Sequence, residues 1–370
     1  MLNEMNFTNF PDFIDQLNEV SDVTEWVRTN LDNIKLEKLD NNNPFPNFGG
    51  DAYGIGITID DEPTIPLRST SINTLITRAD VSGKGIQRVF DERKDLFCEH
   101  LNAYYALKPK KRKDCLALIQ DGKLSALHSG SYAIIPLKGI FEAIENYFED
   151  SFSKYTLRSA YWSWGYSEVD YSIQDKYFED VYNKLSSKYF EGSSKIRLRC
   201  ISSDVAEAAV RMYPYLIVND DKFIPLAGTT ATRHYGEANL SDVINNIKKT
   251  FISFEASCRS FAGLKDIKIN NAKNCMIKAF TALRIPQKYA IPVTEPYNNT
   301  LSNALDIYIA MCDCLEYMKK AEIDKESVMR YEEILSKLVT YNVSKWKDMD
   351  IPGNVAWVCL LYTSPSPRDS

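Results

Sequence analysis

An apolar stripe between residues 240 and 261 is the longest regular pattern in the sequence. Its apolar residues recur at steps of three and four, which places them on one side of a helix of about six turns. The members of the stripe are Leu240, Val243, Ile244, Ile247, Phe251, Phe254, Cys258 and Phe261. Shorter helical patterns follow at 274–283, 301–318 and 326–339. We therefore predict a helical region over residues 236–357.

Residues 66–235 carry patterns that favour a sheet. Two β-like runs, at 115–119 and 124–128, flank Asp121 and Gly122, a dipeptide that tolerates positive φ and favours a tight hairpin turn. Other segments are β-like at 161–169, 195–201 and 215–224, and helical at 71–97 and 137–148. The predicted fold class is α+β, with a central, mostly antiparallel sheet, flanking helices and a helical C-terminal half.

The N-terminal segment, residues 1–65, is acidic. It holds 13 Asp and Glu against 3 Lys and Arg, whereas the whole chain has a net charge of −6. The net charge of the remaining residues is therefore positive. An anion-binding surface in that part of the chain is compatible with the negative net charge of the whole chain. Within this segment, residues 10–38 have the pattern of one or two short amphipathic helices.

The chain ends in a short tail rich in Ser and Pro, after Trp357. Residues 358–370 resemble a translated sequencing-adapter tail of the kind that recurs in proteins from metagenomic assemblies. We expect this tail to be non-native and the natural chain to be cut near residue 357. The fold prediction leaves the tail out.

Composition and motifs exclude several classes of protein. The N-terminus has neither the positive start nor the apolar stretch of a secretory signal, and no run of about 18 apolar residues follows. We therefore expect a cytoplasmic protein without a membrane anchor, whose eight cysteines are reduced, buried thiols.

The usual catalytic motifs are absent. Histidine occurs three times, at His100, His128 and His234, and no second His or Cys lies at a metal-ligand spacing. Gly83-Lys84-Gly85 lacks the rest of a phosphate-binding loop, and no nucleophile elbow is present. We assign no catalytic residue, no metal and no cofactor.

A basic run is the first candidate site. Cations in this part of the chain could neutralise phosphates of a nucleic acid. They are Arg88, Arg93, Lys94, Lys108, Lys110, Lys111, Arg112 and Lys113. The alternative is a solvated connector between a helix and a strand.

An aromatic row is the second candidate site. Trp162, Trp164 and Tyr166 alternate in sequence, so on one strand they would lie on one face and could stack unpaired bases. The alternative is that the row packs beneath a helix as part of the core.

Several segments resemble a known family. They are ALHSGSYAIIP (126–136), IRLRCISSD (196–204), RMYPY (211–215), IPLAG (224–228), RHYG (233–236), NCM (274–276), IPQK (285–288) and WKDMDIPGN (346–354). Together they resemble the phage/plasmid-like proteins grouped as domain of unknown function 932, over residues 65 to 357. The family's Cys-Thr-Asn-Gly type segment is missing. The resemblance implies a mobile genetic element in a bacterial host, and it transfers no catalytic residues.

Three functions follow as hypotheses. The leading one is a phage- or plasmid-type accessory protein of DNA metabolism that binds single-stranded nucleic acid without catalysis. This hypothesis includes the assembly of several copies of the chain into a homo-oligomer. The first alternative is a protein-interaction or host-takeover factor with an unknown target. The second alternative is an enzyme with a nonstandard site, which requires carboxylates and His128 or His234 to converge on one pocket.

Overall fold

The computed structural model describes residues 4–39, 54–174, 194–206, 208–218, 222–323 and 325–357. The chain forms two compact units. The first comprises Met1–Ser172, Arg199–Met212 and Thr230–Lys248, and the second comprises Ile173–Leu198, Tyr213–Thr229 and Lys249–Ser370. The expected tail at 358–370 lies outside the described residues. The segment boundaries that we expect near residues 65 and 235 stay predictions.

The first unit begins with short strands and one amphipathic helix. Its first elements are β1 (Glu4–Phe7), α1 (Phe10–Asp22), β2 (Thr24–Asn30), β3 (Ile34–Lys38), β4 (Ile55–Ile59) and β5 (Ile65–Pro66). Asn9 caps α1, because its side-chain oxygen accepts a hydrogen bond from the backbone N–H of Asp12. Phe13, Leu17 and Val20 form the buried face of this helix.

Three helices and a hairpin follow. They are α2 (Ser69–Arg78), α3 (Lys84–Glu92), α4 (Lys94–Leu107), β6 (Asp114–Gln120) and β7 (Lys123–Ser129). The hairpin forms where it was predicted, with Asp121 and Gly122 at φ of 51° and 68°. β2 pairs antiparallel with β6 along its whole length. The prediction of helix across 10–38 is therefore wrong beyond Asp22, because pairing with a distant strand overrides the local pattern.

The two faces of the sheet β2–β6–β7 have different surroundings. Cross-strand partners share a face. Val27, Ala117 and Leu127 lie on the face that packs into the main core, to which α2 and α4 contribute. Trp26 and Leu118 lie on the opposite face, in a small second cluster with Ala126 and Val205. The candidate site described below lies on this second face.

A larger sheet completes the first unit. The next elements along the chain are α5 (Leu137–Ser151), β8 (Tyr155–Ser163), β9 (Ser167–Ile173), β10 (Ser194–Ser202), β11 (Val210–Val218), β12 (Lys222–Pro225), which belongs to the second unit, and β13 (Thr230–Thr232). In this unit the strand order is β1-β8-β9-β10-β11, and β13 pairs antiparallel with β11. α5 confirms the predicted helix, and its apolar face, which includes Phe141 and Phe148, is buried. In the second unit β11 pairs antiparallel with β12.

The C-terminal part of the chain is helical, as predicted. Its elements are α6 (Leu240–Gly263), β14 (Lys268–Ile269), α7 (Ala272–Ala282), α8 (Gln287–Thr294), β15 (Ser302–Asn303), α9 (Ala304–Met311), α10 (Asp313–Lys320), α11 (Lys325–Ser336) and α12 (Val343–Met349). α6 starts at the first residue of the predicted stripe, and Val243, Ile247 and Phe254 of that stripe are buried. The α+β fold class, with an antiparallel sheet and flanking helices, is confirmed.

Asp350 fastens the residues after α12 to the turn before α7. Its carboxylate accepts hydrogen bonds from the backbone N–H groups of Asn270, at 3.0 Å, and Asn271, at 2.8 Å, and from both of their side-chain amides. Burial tends to raise the pKa of Asp350, but these hydrogen bonds outweigh it and hold the pKa below its ordinary value. Asn274 adds two bonds, to carbonyl oxygens that include that of Gly353, at 2.7 Å.

Two further properties concern the helices and the cysteines. No helix in the described part of the chain combines the length and the apolar composition needed to cross a bilayer. The seven cysteines that the structure describes are buried free thiols, in agreement with the prediction. Burial raises the pKa of Cys115 to about 12, so this thiol stays protonated and unreactive near neutral pH.

Candidate functional site

Two lysines of the basic run are buried in ion pairs. Lys108, 7% exposed, pairs with Asp80, and Lys113, 8% exposed, pairs with Asp32 and donates to the carbonyl oxygen of Ala106 at 3.1 Å. The hydrogen bond from Lys108 is the main reason why the pKa of Asp80 lies below its ordinary value. These lysines stabilise the connection between α4 and β6, and their side chains do not offer a free charge.

The other cations of the run differ in exposure and pairing. Arg112 also pairs with Asp80, at 3.1 Å, while Arg88 pairs with Glu92 and Arg93 with Asp95 on the surface. The ammonium of Lys94 lies 5.3 Å from the centre of the Phe90 ring. Lys110 and Lys111 are exposed in a 3₁₀ turn, and neither makes an ion pair with another described residue. These two lysines are the members of the run that are open to an external phosphate.

The aromatic row does not form a platform. β8 ends at Ser163, whose backbone N–H donates to the carbonyl oxygen of Tyr166 at 3.0 Å, so the chain turns here. The prediction of one strand across 161–169 is therefore wrong at this turn. Trp162 is 3% exposed and Tyr166 is 8% exposed, which makes both part of the core. Trp164 is covered by the guanidinium of Arg68, at 3.6 Å from the ring centre.

The basic run and the aromatic row lie at opposite ends of β6. The run ends at Lys113, directly before the first residue of this strand. Arg68, which covers Trp164, donates to the carbonyl oxygen of Gln120, the last residue of the strand. A strand of this length spans about 20 Å. The two sets of residues that the sequence suggested as one site are therefore separate.

A different set of aromatic residues does come together. Trp26, His128, Tyr132 and His234 form one stack on the second face of the β2–β6–β7 sheet. The ring centres of His128 and Tyr132 are 3.8 Å apart, and those of Tyr132 and His234 are 5.2 Å apart with the planes 10° from parallel. Trp26 stacks on Tyr132 at 5.6 Å. The stack brings together three separate parts of the chain.

Asp204 holds two members of this stack through its backbone. Its carbonyl oxygen accepts hydrogen bonds from Nε2 of His128, at 2.7 Å, and from the hydroxyl of Tyr132, at 3.4 Å. Burial lowers the pKa of His128 to about 4 and raises the pKa of the Asp204 carboxyl to about 7. Near neutral pH the imidazole is therefore uncharged, and about half of the carboxyl groups are ionised.

The stack reaches the protein surface. Trp26, Tyr132 and His234 are half-buried, and Arg233 and Tyr235, beside His234, are exposed, the latter to 69%. Arg28 lies two residues after Trp26 on the same strand face, is exposed, and donates to the carbonyl oxygen of Gly130 at 3.2 Å. Aromatic and cationic side chains therefore share this surface.

This surface lies at the same end of the sheet as the basic run. The backbone N–H of Gly130 donates to the carbonyl oxygen of Asp114 at 2.9 Å, so the residues after β7 adjoin the residues before β6. Lys110 and Lys111 precede Asp114 by four and three residues, respectively. The exposed lysines of the run and the aromatic stack are thus on neighbouring parts of the molecule.

Sequence reasoning missed this stack because its members are far apart along the chain. One local signal was present: Trp26 and Arg28 alternate in the way that is typical of a strand face. His128 and Tyr132 also lie within one of the segments that carry the family resemblance. Among the described residues, no group of three or more His, Cys, Asp or Glu side chains is arranged to hold a metal ion.

The alternative of an enzyme required carboxylates and histidines to converge. Asp204, His128 and His234 do lie in one cluster, but Asp204 contacts His128 through its backbone carbonyl and not through its carboxylate. A general base would be activated by a hydrogen bond between a carboxylate and the imidazole. The contact between Asp204 and His128 is not of this kind.

Comparisons with known proteins assign neither a family nor a function to the chain. The resemblance to the family grouped as domain of unknown function 932 stays a prediction. No protein-family model matches the chain, and no curated protein and no solved structure is significantly similar to it.

Proposed function

We propose that the protein is a phage- or plasmid-type accessory protein that binds single-stranded nucleic acid without catalysing bond chemistry, and that it binds at the Trp26–Tyr132–His234 surface. The observation that carries the proposal is the stack that Trp26, Tyr132 and His234, all three half-buried, form over the buried His128, with arginines beside it. This site differs from the aromatic row in the sequence-based hypothesis.

Stacking would supply the sequence-tolerant part of the affinity. Each base that stacks on an aromatic side chain contributes on the order of 1–3 kcal/mol. The partly exposed rings of Trp26 and His234 and the exposed ring of Tyr235 are available for this contact. His234 is uncharged near neutral pH, because burial lowers its pKa, so its ring offers stacking rather than a fixed charge.

Cations beside the stack would position the phosphates. Arg28, Arg233, Lys110 and Lys111 are exposed, and all four lie at or near the end of the sheet that carries the stack. Because the chain as a whole carries a net charge of −6, binding depends on this local surface. It should therefore weaken steeply with salt, as expected when each neutralised phosphate releases counterions.

Fluorescence anisotropy with a labelled oligothymidylate of about 20 nucleotides tests the proposal. We expect binding at low salt that weakens as salt rises from about 50 to 200 mM. The variant K110Q/K111Q should bind less tightly, and the slope of log K against log salt should fall by about 1.4, since each lost phosphate contact on a single strand contributes about 0.7.

A matched control removes two lysines elsewhere on the surface of the same unit. Lys35 and Lys154 are exposed, and K35Q/K154Q makes the same change in net charge. Its salt slope should equal that of the unmodified protein. The absence of binding at low salt, or equal slopes for both double variants and the unmodified protein, would contradict the proposal.

A further inference from the structure

Strand β2 is the outermost strand of the sheet β2–β6–β7, and it pairs with β6 on one side. In an antiparallel pair, alternate residues direct their backbone N–H and C=O groups toward the partner strand. The backbone N–H of Leu31, directly after β2, donates to the carbonyl oxygen of Lys113 at 3.0 Å. The odd-numbered residues of β2 therefore face β6. The backbone groups of Trp26 and Arg28, at the centre of the strand, point away from the sheet.

These outward backbone groups are unpaired. Neither the N–H nor the C=O of Trp26 or Arg28 has a hydrogen-bond partner among the residues that the structure describes. Backbone N–H and C=O groups are strong donors and acceptors, and a row of them along a strand edge is a template for pairing with another strand.

Helices cover the edges of two other strands in the same unit. On β7, the backbone N–H of Leu127 donates to Oγ1 of Thr74 in α2, at 2.9 Å. On β3, the side-chain amide of Asn102 in α4 bonds both backbone groups of Leu36, at 2.9 and 2.8 Å. Such contacts block the addition of a further strand. The central part of β2 has no equivalent contact within the described part of the chain.

The edge of β2 also lies at the surface. Every residue of β2 is half-buried or exposed, whereas most residues of β6 and β7 are buried. Val27 is half-buried, although its neighbours across the sheet, Ala117 and Leu127, are buried. The strand has seven residues and contains neither Pro nor Lys, the residues that commonly prevent pairing at an edge. An extended segment could therefore add to the sheet here.

The sequence of β2 is complementary to a second copy of itself. A twofold axis at Val27 would place Trp26 opposite Arg28 of the second copy, and Arg28 opposite Trp26 of the second copy. These two pairs would satisfy the outward N–H and C=O groups of both residues in each copy. They would also place each guanidinium beside an indole ring on the same face, which is a favourable cation–π arrangement.

Other antiparallel registers fit less well. An axis at Arg28 would place the two guanidinium groups directly opposite each other, and like charges in that position are destabilising. An axis at Trp26 would leave the last two residues of the strand without a partner and would separate the arginine from the indole. The register centred on Val27 pairs all seven residues of β2.

We infer that two copies of the chain pair through β2, antiparallel about a twofold axis at Val27. Their two three-stranded sheets would become one sheet of six strands. The inference goes beyond the proposed function and does not depend on nucleic acid. Cross-strand partners share a face, so both aromatic stacks would lie on the same face of the joined sheet.

Sedimentation velocity of the full chain, without nucleic acid and over a series of concentrations, tests the dimer. We expect a species of twice the chain mass of 42.3 kDa that dissociates on dilution. A monomer at every concentration would overturn the inference, and so would a trimer or tetramer as the main species. This measurement needs no variant, so it does not depend on how a substitution affects folding.

Two substitutions at one position test whether the backbone makes the contact. Arg28→Ala removes the side chain and keeps the N–H, whereas Arg28→Pro removes both. The N–H of residue 28 does not face β6, so proline there leaves the pairing with β6 intact. Arg28→Pro should dimerise about tenfold or more weakly than Arg28→Ala, because two hydrogen bonds between the copies are lost. Equal dimer affinity of these two variants, with circular dichroism spectra that match the unmodified protein, would overturn the inference.

Cysteine cross-linking tests the register. In the inferred pairing, residue 27 meets its own copy in a pair without hydrogen bonds, with Cα atoms about 4.5 Å apart, which suits a disulfide. Val27→Cys should therefore form a covalent dimer when an oxidant is added. Glu25→Cys is the matched control, since Glu25 is exposed on the same strand but would lie about 13 Å from its own copy.

The unmodified protein shows how much cross-linking the natural cysteines give. Non-reducing gel electrophoresis should give a dimer band for Val27→Cys that is much stronger than that of Glu25→Cys or of the unmodified protein. Equal bands for the two cysteine variants would overturn the inferred register. Loss of nucleic-acid binding would overturn the proposed function and leave this inference standing, because each of these measurements is made without nucleic acid.

Discussion

The buried carboxyl of Asp204 makes a quantitative prediction about stability. Burial is the cause of its raised pKa, from an ordinary value of 3.8 to about 7. The folded protein therefore binds a proton here more tightly than the unfolded chain does. The stability that the protonated carboxyl of Asp204 contributes is fully present below about pH 4 and is lost as pH rises through about 7.

The magnitude follows from the pKa. A difference of one in pKa corresponds to about 1.4 kcal/mol, so full ionisation of Asp204 lowers the free energy of unfolding by up to about 4 kcal/mol. Between about pH 5 and pH 8 the change is about 2.5 kcal/mol. D204N removes this dependence, because Asn has nearly the same shape and does not ionise. Its own buried amide adds a penalty of about 1–3 kcal/mol that is the same at every pH.

Urea unfolding followed by tryptophan fluorescence checks the prediction at several pH values. The difference in unfolding free energy between D204N and the unmodified protein should move in favour of D204N by about 2.5 kcal/mol from about pH 5 to pH 8. The low pKa of His128 affects both proteins and cancels in this difference. Asp61→Asn is the matched control, because Asp61 is exposed at φ 63°, where Asn is tolerated, and it should show no such trend. A difference between D204N and the unmodified protein that stays constant with pH would refute the burial of this carboxyl.

Two other predictions concern the fold. D350A should lower the free energy of unfolding by about 2–4 kcal/mol, because it leaves backbone N–H groups of Asn270 and Asn271 without an acceptor. D350N should lower it less. Equal urea midpoints for D350A and the unmodified protein would contradict this role of Asp350. Gly122→Ala should lower the free energy of unfolding by about 1 kcal/mol. Gly122 has φ 68° and a Cβ there meets no neighbouring atom, so only the backbone conformation opposes the substitution. Gly122→Asn should lower the free energy less, and the same thermal midpoint for Gly122→Ala and the unmodified protein would contradict this prediction.

Local patterns predicted the elements whose stability is decided locally. The hairpin at Asp121 and Gly122 forms because the two residues accept positive φ and β-like runs flank them. Helix α6 begins where its apolar period begins. β2 was missed because its strand conformation depends on β6, which lies about 90 residues later in the sequence.

The candidate site was harder to predict, for a related reason. Lys108 and Lys113 look like free cations in the sequence, but their partners Asp80 and Asp32 are brought to them only by the fold. Charge counts along a chain do not show which charges are already paired. The alternation of Trp162, Trp164 and Tyr166 likewise did not reveal that a turn follows Ser163.

The position of Asp204 connects the pH dependence of stability with the aromatic stack. Hydrogen bonds from His128 and Tyr132 to its backbone oxygen fix the residue beside the stack, yet its carboxylate oxygen Oδ1 is left without a partner. A carboxyl that served only packing would be replaced by Asn with a gain in stability above neutral pH. If D204N is more stable than the unmodified protein at pH 8, the ionised carboxylate opposes folding beside the stack, and the backbone of Asp204, not its charge, is what the stack requires.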